Sequence, residues 1–223
     1  MTIEEFQSMY TGPSLAPQCG ATANTSRSSR RSYKSFSNLP ESVDLRKEGA
    51  IRVKNQGACG CCWAFSAVAV AAVEGIHKIV TGDLIPLSEQ DLVDCDLHSR
   101  GCTSGFVSSA FQNIIKNGGI GSEENYPERV ATIDDYKRVP VNNEKALAKA
   151  VAHQPVSMSI NASDLGFQRY KSGIYAGPCG TMLTHSVAVV SYGTENGEDY
   201  WIVKNSWGSK WGEQGYGRMK QRH

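Results

Sequence analysis

The amino-acid sequence predicts an α+β fold in which a mainly helical first lobe precedes a mainly β second lobe, with a cleft between them. Up to about residue 119, apolar residues recur at helical spacing. After residue 155, short apolar and β-branched runs alternate with turns, as in antiparallel strands. A third observation is the stretch from Asn55 to Ser66, where a glycine-broken turn runs directly into an alanine-rich helix. Clefts between such lobes are common places for functional sites.

The predicted central helix begins beside Cys62 and ends near Thr81 and Gly82. It has no proline, and no charged residue precedes Glu74, so we expect it to be buried on most sides. A glycine is typical of the left-handed position that ends a helix. Cys62 would lie at the helix N-terminus, where unpaired N–H groups and the helix dipole favour negative charge. The sequence therefore predicts a reactive thiolate at Cys62.

Three shorter helices and four strands are predicted after the central helix. Ser88 and Asp91 have the spacing of a helix-capping pair. A second helix is predicted over residues 105–116, and a third, capped by Asn143, over residues 143–153. The predicted strands are Val156–Ile160, Ser186–Tyr192, Tyr200–Lys204 and Tyr216–Met219, and residues 195–198 are predicted to form a hairpin turn.

Composition excludes several classes of function. The 223 residues suffice for one large or two small lobes, and a net charge of +1 gives no reason to expect a nucleic-acid partner. No apolar run approaches the ~20 residues that span a bilayer. The first residues are acidic and lack an apolar segment, so no signal peptide is predicted in this chain. Seven cysteines are nevertheless many for a cytosolic protein.

The N-terminal region differs in composition from the rest of the chain. Residues 22–38 are rich in Ser, Arg and Thr and show no apolar periodicity. We expect this tract to be disordered or loosely draped over the surface. A flexible tail without a function of its own is the alternative interpretation.

Four features of the sequence resemble the papain family of cysteine proteases. They are Gln56, the pair Cys62-Trp63, His185, and the run Asn205-Ser-Trp-Gly208. The amino-acid sequence of residues 59–68 and 87–95 is most similar to the plant senescence-associated branch of this family. The resemblance implies a papain-like two-lobe fold, with a helical N-terminal lobe, a β-barrel-like C-terminal lobe and the active-site cleft between them. It also implies that residues 1–38 are a remnant of a pro-segment and that residues 39–223 are the peptidase domain, incomplete at its C-terminus.

The resemblance implies a catalytic role for each of these residues. The Cys62 thiolate would be the nucleophile, and His185 would transfer protons to and from it. Asn205 would orient His185 through its side-chain oxygen. The side chain of Gln56 and the backbone N–H of Cys62 would stabilise an oxyanion. Trp207 would shield the bond between Asn205 and His185 from water, and it is also a substrate-binding candidate.

The resemblance also implies residues that bind substrate. The backbone of Gly105 would pair with an extended peptide. The pocket for the second residue before the scissile bond would be walled by Phe106, Val107, Ser159 and Ser186. The two serines make this pocket more polar than the family's usual aliphatic one, so we expect a weakened apolar preference.

The remaining cysteines are assigned by the same resemblance. It implies a disulfide between Cys59 and Cys102. It also implies that Cys95 and Cys179 are unpaired, because the family's partners for them fall in segments that this chain lacks. We assign no role to Cys19. The sequences Asn161-Ala-Ser163 and Asn24-Thr-Ser26 match the N-glycosylation pattern, which matters only if the chain enters the secretory pathway.

The implied activity is hydrolysis of peptide bonds through a thioester acyl-enzyme, without cofactor or metal. Expected partners are polypeptide substrates and cystatin-type inhibitors, but neither nucleic acid nor membranes, and a monomer is expected. The resemblance implies a vacuolar, lysosomal or extracellular location. One alternative is a catalytically impaired or inactive truncated homologue. Another is a thiol-redox or zinc protein built on the C-x-x-C spacing of Cys59 and Cys62.

Overall fold

The computed structural model describes residues 24–27, 38–48, 53–68, 72–126, 128–178 and 180–221. Cys19 and Cys179 therefore lie outside the described residues. In these ranges the helices are α1 (Cys62–Ala67), α2 (Ala72–Thr81), α3 (Glu89–Cys95), α4 (Val107–Lys116), α5 (Glu144–Val151) and α6 (Leu165–Gln168). The strands are β1 (Asn24–Arg27), β2 (Val43–Asp44), β3 (Ile120–Gly121), β4 (Arg129–Ala131), β5 (Asp135–Arg138), β6 (Val156–Ile160), β7 (Ile174–Tyr175), β8 (His185–Glu195), β9 (Glu198–Lys204) and β10 (Tyr216–Lys220).

One large mixed sheet forms most of the second half of the chain. Its strand order is β5-β1-β6-β8-β9-β10-β7, and β2 pairs with β8 beside this path. Strand β7 is parallel to β10, and the other paired strands are antiparallel. Strands β3 and β4 form a separate two-stranded sheet near the helices. The four strands predicted from sequence are all present, and β8 and β9 are longer than predicted.

The predicted hairpin joins β8 to β9. Asn196 and Gly197 both have positive φ, at 52° and 78°, as a two-residue turn that matches the twist of antiparallel strands requires. The register Glu195 with Glu198 confirms that only these two residues form the turn. This turn fixes β9 against β8, and thereby sets where the end of β9 lies relative to the start of β8.

The two larger of the three apolar clusters among the described residues are consistent with the α+β architecture. The first contains Trp63, Leu92 and Phe111 and is built mainly from helices α1 to α4. The second surrounds the sheet and includes Phe167 and Trp201. Each lobe therefore buries its own apolar surface, as independent packed layers do.

The helix caps follow the sequence prediction. The Ser88 hydroxyl accepts a hydrogen bond from the backbone N–H of Asp91, and the Asn143 side chain accepts from that of Ala146. The central helix was predicted to be a single element, but the structure describes two helices, α1 and α2. Residues 69–71, between them, lie outside the described residues. Its end at Thr81 is as predicted, with Gly82 at φ 85°.

The prediction that residues 22–38 lack regular structure is wrong for Asn24–Arg27. This segment forms β1, which pairs with β5 in a register that sets Asn24 opposite Arg138. Asn24 also pairs with Ser157 of β6. Backbone N–H and C=O groups alone supply such pairing, so the polar composition of the segment does not prevent it. The feature that determines the formation of β1 is therefore the edge of β5 and not the composition of residues 24–27.

Helix α1 of the first lobe is tied to the sheet of the second by two buried serines. The Ser66 hydroxyl donates to the carbonyl of Val187 in β8, at 2.7 Å. The carbonyl of Ser66 accepts from the hydroxyl of Ser157 in β6, also at 2.7 Å. Both serines are almost fully buried. Buried hydrogen bonds of this kind fix the position of α1 relative to the sheet. If the two elements shifted, each buried polar group would lose its partner.

We predict that Ser66→Ala destabilises the protein by about 1–3 kcal/mol, because the buried carbonyl of Val187 loses a donor. Denaturant unfolding measures this change. Ser108→Ala, on half-buried α4 surface outside the contact, is the control and should change stability by less than about 0.5 kcal/mol. Equal effects of the two substitutions would show that the tie carries no stability.

Candidate active site

Cys62 is the first residue of α1 and is buried, as predicted. The neighbouring thiol of Cys61 is also buried and directs its sulfur at the carbonyl of Cys59, 3.7 Å away. Burial raises the pKa of Cys61 to about 12, with a smaller contribution from Cys62. Cys61 therefore stays a neutral thiol at physiological pH.

His185 is held by Asn205 in one tautomer. The Nε2 atom of His185 lies 2.8 Å from Oδ1 of Asn205. The same Oδ1 accepts a hydrogen bond from the backbone N–H of Ser206, at 2.8 Å. Because a backbone N–H can only donate, this second bond identifies the Asn205 atom as the oxygen. Nε2 of His185 must then carry the proton, which leaves the lone pair of neutral His185 on Nδ1.

The imidazole lies in an apolar setting. His185 is 2% exposed and Asn205 is fully buried. The ring of Trp207 lies over that of His185, with centroids 4.6 Å apart and an interplanar angle of 30°. Burial lowers the pKa of His185 to about 4, although the Asn205 hydrogen bond favours the charged form. Among the described residues, Nδ1 of His185 is buried without a hydrogen-bond partner.

Gln56 connects the segment before α1 to Ser206, the residue after Asn205. Its backbone N–H donates to the carbonyl of Ser206, and its side-chain Oε1 accepts from the Ser206 hydroxyl, at 2.9 and 2.5 Å. Its Nε2 donates to the carbonyl of Cys59 at 2.7 Å. Together with the tie at Ser66, these bonds fix both ends of the segment that carries Cys62. They hold the segment that leads into α1 beside Ser206, the residue after Asn205.

The predicted disulfide between Cys59 and Cys102 is present. A hydrogen bond from Gly60 to the Cys102 carbonyl and one from the indole of Trp63 to the Gly101 carbonyl reinforce it. The loop that leads to residues 105–107 is thereby fixed beside α1. Since the sulfur of Cys59 is bonded to Cys102, it does not form a dithiol with Cys62. This finding disfavours the redox or zinc alternative.

The predicted substrate-binding residues fall into two groups. A Cβ atom at Gly105 would lie 2.4 Å from the ring of Trp63, so only glycine fits there. The side chain of Phe106 is 53% exposed, whereas Val107 is buried. On the other lobe, Ser159 and Ser186 are paired across β6 and β8, with their hydroxyl oxygens 3.4 Å apart.

A buried charge cluster went unnoticed in the sequence. The ammonium of Lys54 contacts the carboxylates of Glu74, Glu89 and Glu123 at 3.2, 2.9 and 2.7 Å. Burial opposes the charge on Lys54, but attraction by Glu89 and Glu74 and the hydrogen bonds outweigh it, so the Lys54 pKa is raised. Burial dominates at the carboxyl side, where it raises the pKa of Glu89 to about 7.

Lys204 brings this cluster next to the candidate site. It is fully buried at the end of β9 and directly precedes Asn205. Burial lowers its pKa to about 7, while the negative charge of Glu74 favours its ammonium form. A lysine that ends an otherwise apolar strand, beside a candidate catalytic residue, is the sequence signal that could have identified it.

Three other titratable residues have separate contacts of their own. His77, in α2, bonds the Asp83 carbonyl, and His98 is exposed in a loop. Cys95 is a free thiol, as predicted, and its sulfur lies 3.6 Å from the hydroxyl of Tyr126. Within the described ranges, no three His, Cys, Asp or Glu side chains are grouped as metal ligands would be. No described helix is long and apolar enough to cross a bilayer.

Comparison with known proteins yields consistent matches. Residues 39–223 match the family model described as "Papain family cysteine protease". The "Probable cysteine protease RD21B" of Arabidopsis thaliana is 52% identical over 98% of this chain and 49% of its own length. "Oryzain beta chain" of Oryza sativa subsp. japonica is 48% identical over 99% of this chain and 50% of its own. The chain thus spans about half the length of these relatives.

Solved structures give the same result. The proform of the ragweed pollen cysteine protease Amb a 11 superposes with a TM-score of 0.87 at 40% identity, covering 99% of this chain and 71% of that one. The bromelain protease from Ananas comosus, in complex with the E64 inhibitor, gives a TM-score of 0.78 at 46% identity, covering 83% of this chain and 91% of that one. Both are similar to this chain along most of its length.

We predict that His185 in a Cys62→Ala variant stays neutral until the pH falls to about 4, because burial disfavours its charged form. Since this pKa lies below the unfolded value of 6.5, the neutral imidazole stabilises the fold above pH 6.5. That stability is lost as the pH falls from 6.5 to 4, by about 3 kcal/mol at 1.36 kcal/mol per pKa unit.

An NMR titration of the ring measures the midpoint. Unfolding at both pH values, compared with Cys62→Ala/His185→Gln, isolates the contribution of this one residue. A midpoint at 6.5 or above would contradict the prediction.

Proposed function

The chain belongs to the papain family of cysteine proteases, and on this premise we propose that it is a cysteine endopeptidase with a Cys62, His185 and Asn205 site. The observation that carries the proposal is the state of the imidazole. Its Nε2 is committed to Asn205, and its buried Nδ1 has no hydrogen-bond partner among the described residues. The bond of Gln56 to Ser206, next to Asn205, and that of Ser66 to Val187, two residues after His185, support the proposal that Cys62 faces this imidazole.

The proposed reaction begins with proton transfer from the thiol of Cys62 to Nδ1 of His185. Burial disfavours an isolated imidazolium, and in this proposal the Cys62 thiolate supplies the opposite charge that favours it. The sulfur then attacks the carbonyl carbon of the scissile peptide bond, and an oxyanion forms. His185 donates its proton to the leaving amine as the C–N bond breaks, which leaves a thioester on Cys62.

Water completes the cycle. It attacks the thioester carbonyl while Nδ1 of His185 accepts one of its protons. The C–S bond breaks, the carboxylic acid leaves, and the proton returns to the sulfur. Protein side chains carry out every step of this scheme, and the fixed Asn205 bond keeps the ring in the tautomer that each proton transfer needs.

Gln56 is the proposed oxyanion donor, together with the backbone N–H of Cys62. Its Nε2 has two hydrogens, of which one is directed at the Cys59 carbonyl. In this proposal the second hydrogen donates to the oxyanion. Because Ser206 holds Oε1, the amide is already oriented before substrate arrives, as electrostatic preorganisation requires.

Substrate would lie along Gly105, with the second residue before the scissile bond between Phe106 and Val107 on one side and Ser159 and Ser186 on the other. The paired serine hydroxyls give the sheet side of this pocket two polar groups. A peptide residue that combines an apolar stem with a hydrogen-bonding tip would fit such a pocket better than a purely aliphatic one. Apolar discrimination is correspondingly weak, at about 1–3 kcal/mol per methylene.

We assign residues 39–223 to the peptidase domain and residues 1–38 to pro-segment sequence. The start of the family match at residue 39 supports this boundary. Proposed partners are polypeptide substrates and cystatin-type inhibitors, bound by a monomer. A vacuolar or secreted location is proposed from the plant relatives. No cofactor or metal is invoked.

We predict that a thiol-directed peptidyl epoxide labels Cys62 and no other cysteine. The buried Cys61 is expected to stay unlabelled because its thiol remains protonated. Mass spectrometry of the digested adduct identifies the modified residue, and His185→Ala should abolish labelling. Absence of labelling in a sample shown to be folded would favour the catalytically impaired homologue.

We predict that Gln56→Ala lowers kcat about 10²–10³-fold with little change in KM, because one oxyanion donor is lost. Steady-state kinetics on a fluorogenic peptide measure the effect. Epoxide labelling of Cys62 in the same variant is the control, since the thiol itself should remain reactive. A change confined to KM would assign Gln56 to substrate binding.

A further inference from the structure

We propose that the facing edges of β5 and β6 form a docking slot for one extended peptide strand. Residues 24–27 of this chain, as β1, fill the slot and stay bound in it when the chain is cut between residues 28 and 38. These residues belong to the sequence assigned above to the pro-segment. The strand is therefore a working part of the peptidase domain, although it comes from a region that a cut would separate from it.

Strand β1 lies inside the large sheet and not at its edge. In the strand order it is the only described strand between β5 and β6. Each of its four residues is paired with β5, and Asn24 is also paired with Ser157 of β6. Loss of β1 would leave backbone N–H and C=O groups unpaired on two strands at once, whereas loss of an edge strand does so on one.

One side of the docking slot, β6, is anchored without β1. All five residues of β6 are paired with β8. The hydroxyl of Ser157 donates to the carbonyl of Ser66 in α1, at 2.7 Å, and both serines are almost fully buried. This edge therefore exists whether or not β1 is bound.

The other side, β5, is held by the helical lobe. The ring of Tyr136 packs against that of Phe111 in α4, with centroids 5.5 Å apart, and its hydroxyl accepts a hydrogen bond from the Gln112 side chain at 3.0 Å. Val139, directly after β5, is buried in the core that surrounds the sheet. Because other contacts hold both edges, the slot is preorganised, which lowers the cost of binding a strand.

The slot recognises main chain. The sequence of residues 24–27 contains neither an apolar residue nor a proline. Strand addition to a sheet obtains its affinity from backbone hydrogen bonds, which any extended segment without proline can make. The ligand that fits is therefore an extended, proline-free peptide, and its covalent link to the rest of the chain is not part of recognition.

The slot adjoins the candidate active site. Strand β1 also approaches α2 and α4, so it lies where helices and sheet meet. Its partner residue in β6, Ser157, binds the Ser66 carbonyl of the helix that bears the candidate nucleophile. The last residue of β6, Ile160, is paired with His185. Occupancy of the slot thus steadies the strand between the two halves of the site, a point that rests on the proposed function.

The test uses the full chain with the double substitution Thr25→Pro/Ser26→Pro. Consecutive N–H groups of a strand point to opposite sides, so two prolines remove one donor towards each side. Thr25→Ala/Ser26→Ala keeps both N–H groups and is the matched control. The probe is a fluorescent synthetic peptide with the sequence of residues 20–31, and its anisotropy measures binding.

We expect saturable binding of this peptide to the proline variant. Binding to the unchanged chain and to the alanine variant should be at least about tenfold weaker, because their own tethered segment competes at about millimolar effective concentration. A peptide that carries the two prolines should not bind. Equal binding to all three chains, or no binding to a folded proline variant, would overturn the proposal.

A second measurement decides the question if the proline variant does not fold. A recognition sequence for a site-specific protease is inserted between residues 32 and 33 of the otherwise unchanged chain. After the cut, the two fragments should co-elute in size-exclusion chromatography, and excess synthetic peptide should displace the N-terminal fragment. Fragments that separate without added peptide would count against the retained strand.

Hydrolysis of a fluorogenic peptide tests the link to the active site. The proline variant should be severalfold slower than the unchanged chain, the added synthetic peptide should restore its rate, and the alanine variant should be unaffected. An unchanged rate in the proline variant would refute the link. If no chain cleaves the substrate, the proposed protease function fails, whereas the anisotropy measurement still decides whether the slot binds a strand.

Discussion

The hydrogen bond from Ser66 to the Val187 carbonyl holds a helix of one lobe against a strand of the other. A thiol on the helix and an imidazole on the strand have no covalent reason to meet, since 123 positions of sequence separate Cys62 from His185. The bonds of Gln56 to Ser206 supply a second fixed point at the start of the helix. Because the helix is held at both Ser66 and Gln56, its orientation relative to the sheet is fixed as well as its position.

Burial of charge accompanies this alignment. Lys54 and Lys204 come from strand and loop segments near the candidate site, and Glu74 and Glu89 come from the helices. Removing water from these groups is costly unless each charge is compensated. Separation of the lobes would leave some of these buried charges without their partners. The cluster therefore disfavours such separation. It also places a group with a pKa of about 7 directly before Asn205.

Much of this arrangement could be predicted from local sequence. The Asn-Gly turn, the caps at Ser88 and Asn143, and the start of α1 at Cys62 each depend on a few neighbouring residues. The family motifs supplied the pair Cys59 and Cys102. By contrast, β1 forms because a partner strand lies beside it, and the Lys54 cluster forms because distant segments converge. Such features depend on three-dimensional context, for which a single sequence has no local signal.

In the proposed mechanism, the contacts of Gln56 also determine which end of its amide faces the oxyanion. A side-chain amide is nearly symmetric in shape, so a half rotation would present an electron-rich oxygen where an electron-poor hydrogen is required. Ser206 offers a hydroxyl hydrogen to one end, and the Cys59 carbonyl accepts only from the other. In the inverted amide, the Cys59 carbonyl would face a second oxygen, a mismatch that disfavours this orientation. The Cys59 carbonyl, together with the Ser206 hydroxyl bound at Oε1, thus sets the electrical polarity of the proposed pocket for the tetrahedral carbon.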